Sequence, residues 1–229
     1  MSNFVSFSGG KDSSAMLLRM VELGYSIDKV VFADTTLEFP EIYAWIDKIE
    51  NIIGMKIIKV KCKHTFDDWF YGRYTRGKHK GEIRGFPYVI SHCWWARDSK
   101  IDILKKEYGK GNTINIGIAL NESKRADAKM YKKGINTYNF PLIEWGWTEA
   151  KCSNYLKERG LEHPLSNRFN RTGCWLCPKQ SKKSLKSLFK YYPKLWEKLK
   201  QYEKDSPHGF NPRFTLTNFE KEIKAEVVK

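Results

Sequence analysis

Short apolar runs alternate with helix-like periodic segments along the first part of the chain. Residues 3–7, 29–33 and 56–60 are rich in β-branched and aromatic side chains, and each run predicts a strand. Apolar residues recur at helical spacing over 15–23 and over 42–53. This β-α-β-α-β order predicts a parallel sheet with right-handed crossovers, which binds a ligand at the carboxyl ends of its strands.

The middle of the chain has fewer clear elements. Its pattern predicts a helix near 97–108, a fourth strand over 113–118 and a helix over 148–159. A fifth strand is not visible from the pattern alone.

The character of the sequence changes after Pro178. Two amphipathic segments with Lys on their outer positions, 181–191 and 193–202, predict two helices. We therefore expect an α/β fold with a doubly wound, mainly parallel sheet in residues 1–160. Residues 161–229 are expected to hold a Cys-x-x-Cys segment and a small, Lys-rich helical subdomain.

The turn after the first strand carries the most informative motif. Its two consecutive glycines allow a tight turn whose N–H groups point at an anion, while hydroxyl groups and the positive end of the next helix add donors. The motif predicts a phosphate site for an adenine nucleotide; the alternative is an ordinary Gly-rich turn before a helix. It consists of Ser8, Gly9, Gly10, Lys11, Asp12, Ser13 and Ser14.

Five motifs in order resemble the phosphoadenylyl-sulfate (PAPS) reductase-like family. The first, Ser-Gly-Gly-x-Asp-Ser, resembles the PP-loop of the N-type ATP pyrophosphatases, which cleave ATP between the α- and β-phosphates. Segment 34–41, Asp-Thr-Thr-Leu-Glu-Phe-Pro-Glu, is similar to the family's Asp-Thr-Gly-x-x-Phe-Pro-Glu. Segments 117–125, 140–156 and 173–178 are similar to its Glu-Ser-x-x-Arg, Pro-Leu/Trp-Thr/Tyr-Leu and Cys-containing motifs. The resemblance implies a PP-loop fold and nucleotide chemistry.

These motifs assign roles to individual residues. Lys11, Asp12 and Ser13 are expected to be catalytic, with Asp12 positioning Mg²⁺ on the pyrophosphate of ATP. The backbone groups of Phe32 and Ala33 are expected to contact the adenine. Asp34 is expected to bind the nucleotide as well; the alternative is that it is only a turn residue, as an Asp after a strand commonly is. The expected nucleotide-binding residues are Ser8, Gly9, Gly10, Ser14, Phe32, Ala33, Asp34, Gly117, Glu122 and Arg125.

One departure from the family pattern concerns the reductases. Those enzymes resemble one another in a C-terminal Cys that attacks the sulfonucleotide, whereas this sequence has no Cys after Cys177. By resemblance, we expect the non-reductase branch, the ATP-dependent sulfurtransferases that include enzymes of DNA phosphorothioation and tRNA thiolation.

A second constellation consists of Cys93, Cys174 and Cys177, with His92 beside the first. Cys-x-x-Cys spacing places two thiolates on one turn. The separation of Cys93 from Cys174 resembles that in the cluster-bearing adenylyl-sulfate reductases, where a Cys stands at the position of His92. We favour a 4Fe-4S cluster on three Cys, its last iron held by His92 or left open. The alternatives are tetrahedral zinc with His92 as the fourth ligand, or a structural or redox Cys pair.

The composition bears on the size of the core, the compartment of the protein and the state of its thiols. With 229 residues and 41% hydrophobic content, the chain can bury one sizeable core. It has no 18-residue apolar run and no signal-peptide pattern, so we expect a cytoplasmic protein that does not bind membranes. Five Cys, an odd number, indicate reduced thiols, with Cys62 and Cys152 as plain buried ones.

The net charge of +15 indicates an anionic partner larger than ATP. Cations concentrate in the helices after Pro178 and in segment 72–85, whose four glycines predict a long mobile loop beside Tyr71 and Tyr74. Such a surface binds the phosphates of nucleic acid; the alternative is a solvated basic face.

Together these features predict an enzyme that uses ATP to adenylate an oxygen of tRNA or DNA. Pyrophosphate leaves, and a sulfur donor then replaces AMP; a homodimer is a further expectation. Two alternatives stay open: a reductase-like enzyme acting on a small sulfonucleotide, and a nucleotide-sensing module without turnover.

Overall fold

A parallel β-sheet forms the centre of the fold in the computed structural model, which describes residues 1–89, 92–132, 134–169 and 171–227. The strands are β1 (Asn3–Phe7), β2 (Lys29–Asp34), β3 (Ile57–Lys61), β4 (Tyr88–Val89), β5 (His92–Cys93), β6 (Thr113–Ile116) and β7 (Thr137–Asn139). Five of them pair in the order β3-β2-β1-β6-β7, with every pair parallel, while β4 and β5 form a separate antiparallel pair. The chain reverses its direction across the sheet at β1, so the loop after β1 lies at the switch point where such sheets bind ligands.

Helices follow most strands. They are α1 (Lys11–Glu22), α2 (Pro40–Ile53), α3 (Phe66–Tyr71), α4 (Trp94–Ala96), α5 (Asp102–Tyr108), α6 (Lys129–Lys132), α7 (Pro141–Glu144), α8 (Glu149–Lys157), α9 (Lys182–Tyr191), α10 (Pro193–Asp205) and α11 (Leu216–Val227). A π-helix (Arg97–Ile101) and a 3₁₀-helix (Leu120–Asp127) complete the set. Within the described ranges, no helix is long and apolar enough to cross a membrane.

The α/β fold predicted from the sequence is confirmed, including the two helices after Pro178. Three details differ from the predictions. The helix near 97–108 is divided, because its first turn is the π-helix. The fifth strand, β7, has three residues and is too short to show an alternating pattern. A further helix, α11, packs against α10.

One hydrophobic cluster joins the sheet to the C-terminal helices. It includes Val5 of β1, Trp45 of α2, Trp196 of α10 and Phe219 of α11, all buried. The division of the chain at residue 160 stays a prediction.

Candidate active site

The phosphate loop (residues 8–14) lies at the carboxyl edge of the sheet. The last residue of β1, Phe7, pairs with Phe32 of β2, so the loop begins beside the end of β2. Gly9 has a φ of 72°. A Cβ at Gly9 would stand 2.9 Å from Cγ2 of Ile42 in α2. The turn therefore requires glycine at this position.

Two serines of α1 shape the phosphate loop. The Ser13 hydroxyl donates to the carbonyl of Gly10 (3.0 Å) and accepts the N–H of Ser8 (3.2 Å). The Ser14 hydroxyl donates to the same carbonyl (2.9 Å) and accepts from the Trp45 indole (2.9 Å). These contacts hold the loop in shape; the expected catalytic role of Ser13 stays a prediction.

His163 secures the loop from a distant part of the chain. Its Nδ1 accepts the N–H of Leu165 (3.3 Å), so Nε2 carries the proton and donates to the Gly9 carbonyl (2.9 Å). Burial lowers the pKa of His163 below the usual 6.5, and the bond to Gly9 opposes that shift only in part. No sequence pattern links residues 9 and 163, so this contact could not be found before the structure.

We predict that His163 makes folding stability depend on pH. Because its folded-state pKa is lowered, its contribution is present above the ordinary value of 6.5 and is lost as the pH falls, since the unfolded chain then binds a proton more readily. Urea unfolding between about pH 5 and pH 8 should show this loss in the parent chain. His163→Gln, whose amide can still donate to Gly9, should show a smaller loss; equal pH dependence in both proteins would contradict the prediction.

Lys11 stands at the start of α1 between two carboxylates. Its Nζ lies 2.9 Å from Oε2 of Glu149 and 3.2 Å from Oδ1 of Asp12. Burial disfavours the charge of Lys11, but hydrogen bonds to the two acids outweigh it and raise its pKa. The bond from Lys11 lowers the pKa of Glu149, whereas burial raises that of Asp12. The main ion pair is therefore Lys11 with Glu149.

An open cavity of about 460 Å³ adjoins this ion pair. It is lined by Lys11, Asn121, Thr148, Glu149, Ala150 and Ser153. Most of these groups are polar or charged, and Asn121 accepts the N–H of Glu149 (3.0 Å). Glu149 belongs to the Trp-Thr-Glu motif, but the sequence alone gave it no role.

The other expected nucleotide-binding residues surround the same edge. A Cβ at Gly117, just after β6, would stand 2.8 Å from Cα of Ser13, so glycine lets this segment touch the phosphate loop. Glu122 and Arg125 form an ion pair with each other. Phe32 and Ala33 are buried at the end of β2. Their roles in nucleotide binding stay predictions.

Asp34 forms the turn that leaves β2. Its Oδ1 accepts from the N–H of Thr36 and from the hydroxyl of Tyr43, both at 2.8 Å. Thr36 has a φ of 61°, in the left-handed region that β-branched residues rarely adopt. The family motif quoted above has Gly at this position, and the observed backbone explains why.

Thr36→Gly should therefore raise the free energy of unfolding by up to about 1.5 kcal/mol. Relief of the left-handed strain contributes about 1–2 kcal/mol, and the greater freedom of glycine in the unfolded chain offsets about 0.5–1 kcal/mol of it. Chemical denaturation measures the difference. Thr35→Gly is the matched control and should destabilise, because the buried Thr35 donates to Glu38 (2.8 Å). A less stable Thr36→Gly variant would contradict the prediction.

The Cys-x-x-Cys turn is attached to the loop that follows β2. The Trp175 N–H donates to the Leu37 carbonyl (3.0 Å), and the Cys177 N–H donates to the Cys174 carbonyl (3.0 Å). Cys174 Sγ lies 3.5 Å from the Thr35 hydroxyl. The Cys-x-x-Cys turn (residues 174–177), called the thiol turn below, thus lies near the phosphate loop at one edge of the sheet.

Cys93 approaches this turn from the β4-β5 pair. It pairs with Tyr88 of β4. Lys179, two residues after Cys177, places its Nζ 5.0 Å from the centre of the Tyr88 ring. Burial raises the pKa of Cys93, and Cys177 adds to the increase. The structure therefore brings the three predicted thiols into one region.

In this structure, the protonation and the positions of the thiol side chains do not suit metal binding. Burial, with a smaller effect of Glu38, raises the pKa of Cys174 to about 12, so this thiol is protonated at neutral pH. In the part of the chain that the structure describes, no three His, Cys, Asp or Glu side chains are arranged to hold a metal ion. Thiol chemistry fits zinc or an iron-sulfur cluster, but binding must release protons and turn the side chains inward.

The structure does not bring His92 to these thiols. His92 pairs with Val89 while Cys93 pairs with Tyr88, and successive strand residues point to opposite faces. The His92 ring instead lies 4.7 Å from the ring of Trp94. This geometry does not support a metal centre in which His92 is a ligand beside the three thiols.

The basic surface also differs from the sequence expectation. Segment 72–85 is folded back on itself, since Tyr74 and Glu82 are joined by a backbone hydrogen bond of 3.0 Å and Arg73 pairs with Ile83. Tyr71 donates its hydroxyl to Asp205 (2.7 Å). Several lysines of the C-terminal helices are ion-paired within the chain: Lys182 with Glu222, Lys186 with Glu226, Lys198 with Asp67 and Lys200 with Glu220.

The chain is similar to known proteins over most of its length. The model of the phosphoadenosine phosphosulfate reductase domain matches residues 2–180. An uncharacterized protein of Methanocaldococcus jannaschii is 31% identical over 214 residues, which cover 85% of this chain but only 40% of that relative. The chain thus spans less than half the length of this curated relative.

Two solved structures resemble the chain, and the first of them shares its fold. The phosphate complex of PAPS reductase from Candida auris is 14% identical with a TM-score of 0.53, over 76% of this chain and 82% of that one. The U34-tRNA thiolase NcsA from Methanococcus maripaludis, solved with its 4Fe-4S cluster, is 14% identical with a TM-score of 0.49, over 98% of this chain and 72% of that one. The second overlap supports no inference about this chain.

Proposed function

Because the chain belongs to the phosphoadenosine phosphosulfate reductase domain family, we propose that it is a nucleotide-binding enzyme of sulfur chemistry that splits ATP into AMP and pyrophosphate. One observation carries the proposal: the phosphate loop and the thiol turn adjoin at the carboxyl edge of the sheet. A Cβ at Gly10 would stand 3.2 Å from the Thr172 hydroxyl, and Trp175 is hydrogen-bonded to Leu37. A nucleotide bound to the one loop would lie beside sulfur groups on the other.

The proposed reaction has two displacements. An oxygen of the substrate attacks the α-phosphorus of ATP, the bond from that phosphorus to the bridging oxygen breaks, and pyrophosphate leaves. A sulfide-level donor then attacks the atom that bears the adenylated oxygen, which is carbon in a base or phosphorus in a DNA backbone; the bond from that atom to the oxygen breaks, and AMP leaves. The N–H groups at the start of α1 and the charge of Lys11 would stabilise the departing pyrophosphate.

Asp12 is the residue that would hold Mg²⁺ on the pyrophosphate. Carboxylates suit this ion, and Glu149 and Glu122 are near enough to contribute to the raised pKa of Asp12, after the larger effect of burial. Bound Mg²⁺ would neutralise phosphate charge.

Cys93, Cys174 and Cys177 would hold a 4Fe-4S cluster, with zinc as the alternative. When bound, a cluster iron without a Cys ligand offers a position for sulfide. Thiol protons must leave first, which links metal uptake to pH.

We propose tRNA or DNA as the substrate because of the net charge of +15. Separation of the products of α-labelled ATP, with Mg²⁺, sulfide and either tRNA or single-stranded DNA, tests the reaction. AMP and pyrophosphate are expected. ADP with orthophosphate would overturn the proposal, thiol-dependent release of sulfite from PAPS would favour the reductase-like alternative, and binding without products would favour a sensing module.

A further inference from the structure

An exposed tryptophan stands at the border of the thiol site. Trp94 directly follows Cys93 and is 43% exposed, whereas its neighbour Trp95 is buried. Its backbone N–H donates to the Pro87 carbonyl (3.0 Å), so the main chain is held in place while the indole faces outward. The core therefore does not account for this large apolar side chain.

One cation and one aromatic ring contact the Trp94 indole. The His92 ring stands edge-on to it at 4.7 Å, and the Arg97 guanidinium lies 5.7 Å from its centre. Arg97 begins the π-helix, a rare element that occurs frequently at functional sites. Lys179 lies over Tyr88, on the strand that pairs with β5. An isolated exposed aromatic needs no explanation, but an exposed indole beside a cation can stack against a base while the cation binds the phosphate.

The acids near this surface leave Arg97 open to a phosphate. Asp98 accepts from the Trp69 indole (3.1 Å), and Asp102 lies 3.6 Å from Arg97 as a solvent-exposed ion pair. Exposed pairs of this kind are weak, so a phosphate can compete for Arg97.

We propose that Trp94 stacks against a base of a single-stranded nucleic-acid substrate while Arg97 and Lys179 bind the adjoining phosphates. The platform is next to Cys93, so a stacked base fixes the neighbouring nucleotide at the thiol site. This inference rests on the proposed function. It also gives His92 a part in the surface of the site, where its ring supports the indole edge-on.

Fluorescence anisotropy with a labelled single-stranded RNA and a duplex of the same sequence tests the inference. Stacking predicts that Trp94→Ala weakens single-strand binding about 10- to 100-fold. Trp94→Phe, which keeps an aromatic face, should remain near the parent. Trp94→Leu, apolar but not aromatic, should behave like Trp94→Ala, which separates stacking from simple burial.

Two further variants define the contacts. Tyr25→Ala is the matched control, because Tyr25 is an exposed aromatic beyond the opposite end of α1 and should not affect binding. The double variant Arg97→Ser/Lys179→Ser should reduce the slope of log affinity against log salt concentration by up to about two units, roughly one for each lost phosphate contact. Trp94→Ala should leave that slope unchanged.

The outcomes separate the two proposals. Parent-like single-strand binding by folded Trp94→Ala or Trp94→Leu would overturn the stacking inference and leave the proposed reaction standing. A parent chain that binds neither RNA nor DNA at low salt, yet forms AMP and pyrophosphate with a small acceptor, would overturn the nucleic-acid substrate together with the stacking inference.

Discussion

Lys11→Met is expected to lower the rate of pyrophosphate release from ATP about 100- to 1,000-fold. Met retains a flexible apolar stem as long as the four-carbon stem of Lys but removes the cation that faces the cavity beside the phosphate loop. The charge on the leaving pyrophosphate would then lose its nearest side-chain partner. Glu149, the main partner of Lys11, is part-exposed and should tolerate the loss without unfolding the chain.

The matched control is Lys151→Met. Lys151 is an exposed residue of α8 near Glu149, and its side chain does not line the cavity. It should release pyrophosphate at the parental rate. Pyrophosphate can be measured directly with a coupled enzymatic assay under saturating ATP. If Lys11→Met were as active as Lys151→Met, the phosphate loop would not be the site of ATP cleavage.

Loss of bound metal is the second large effect. Replacing Cys93, Cys174 or Cys177 with Ala should each abolish bound iron or zinc, because a centre held by three thiolates loses a covalent ligand in every case. Purification without oxygen, followed by metal analysis and an absorption spectrum, gives the content and distinguishes a cluster from zinc. Metal uptake should increase with pH, since burial raises the pKa of both Cys93 and Cys174.

Cys62→Ala is the control for these variants. Cys62 is half-buried rather than fully buried as its sequence context suggested, and its Sγ donates to the His64 carbonyl (2.9 Å). It should retain the parental metal content. Cys152 serves less well, because it is fully buried and close enough to Asp12 to affect the phosphate loop. Equal losses from Cys62→Ala, or a parent chain without metal, would show that the wrong thiols were chosen.

Local patterns in the sequence were sufficient for the central fold. The runs that form β1, β2 and β3 are rich in β-branched and aromatic residues. The left-handed backbone at residue 9 requires the glycine that the Gly-Gly motif supplies. By contrast, the three residues Thr137–Asn139 form a strand only because β6 lies beside them. Pairing with an existing strand is a tertiary effect, which no short pattern contains.

The sequence predicted the parts of the candidate site that belong to a local motif. It did not predict contacts between residues that are far apart in the chain. The phosphate loop and the Cys174/Cys177 pair were named from local motifs, and Cys93 from the family resemblance; the structure brings these thiols into one region. The ion pair of Lys11 with Glu149 joins elements far apart in sequence. The orientation of His92 depends on the register of β5, which a single sequence does not specify.

The bond from His163 to Gly9 has a consequence for the order in which the protein matures during synthesis. β1, β2 and β3 leave the ribosome well before residue 163, so the central strands can pair while the Gly9 carbonyl still has water as its partner. Phe39 likewise gains its close contact with Phe169, at 4.4 Å between ring centres, only afterwards. A nascent chain ending near residue 160 would thus hold the sheet but not the finished phosphate loop, and the proposed ability to bind ATP would arise late in translation.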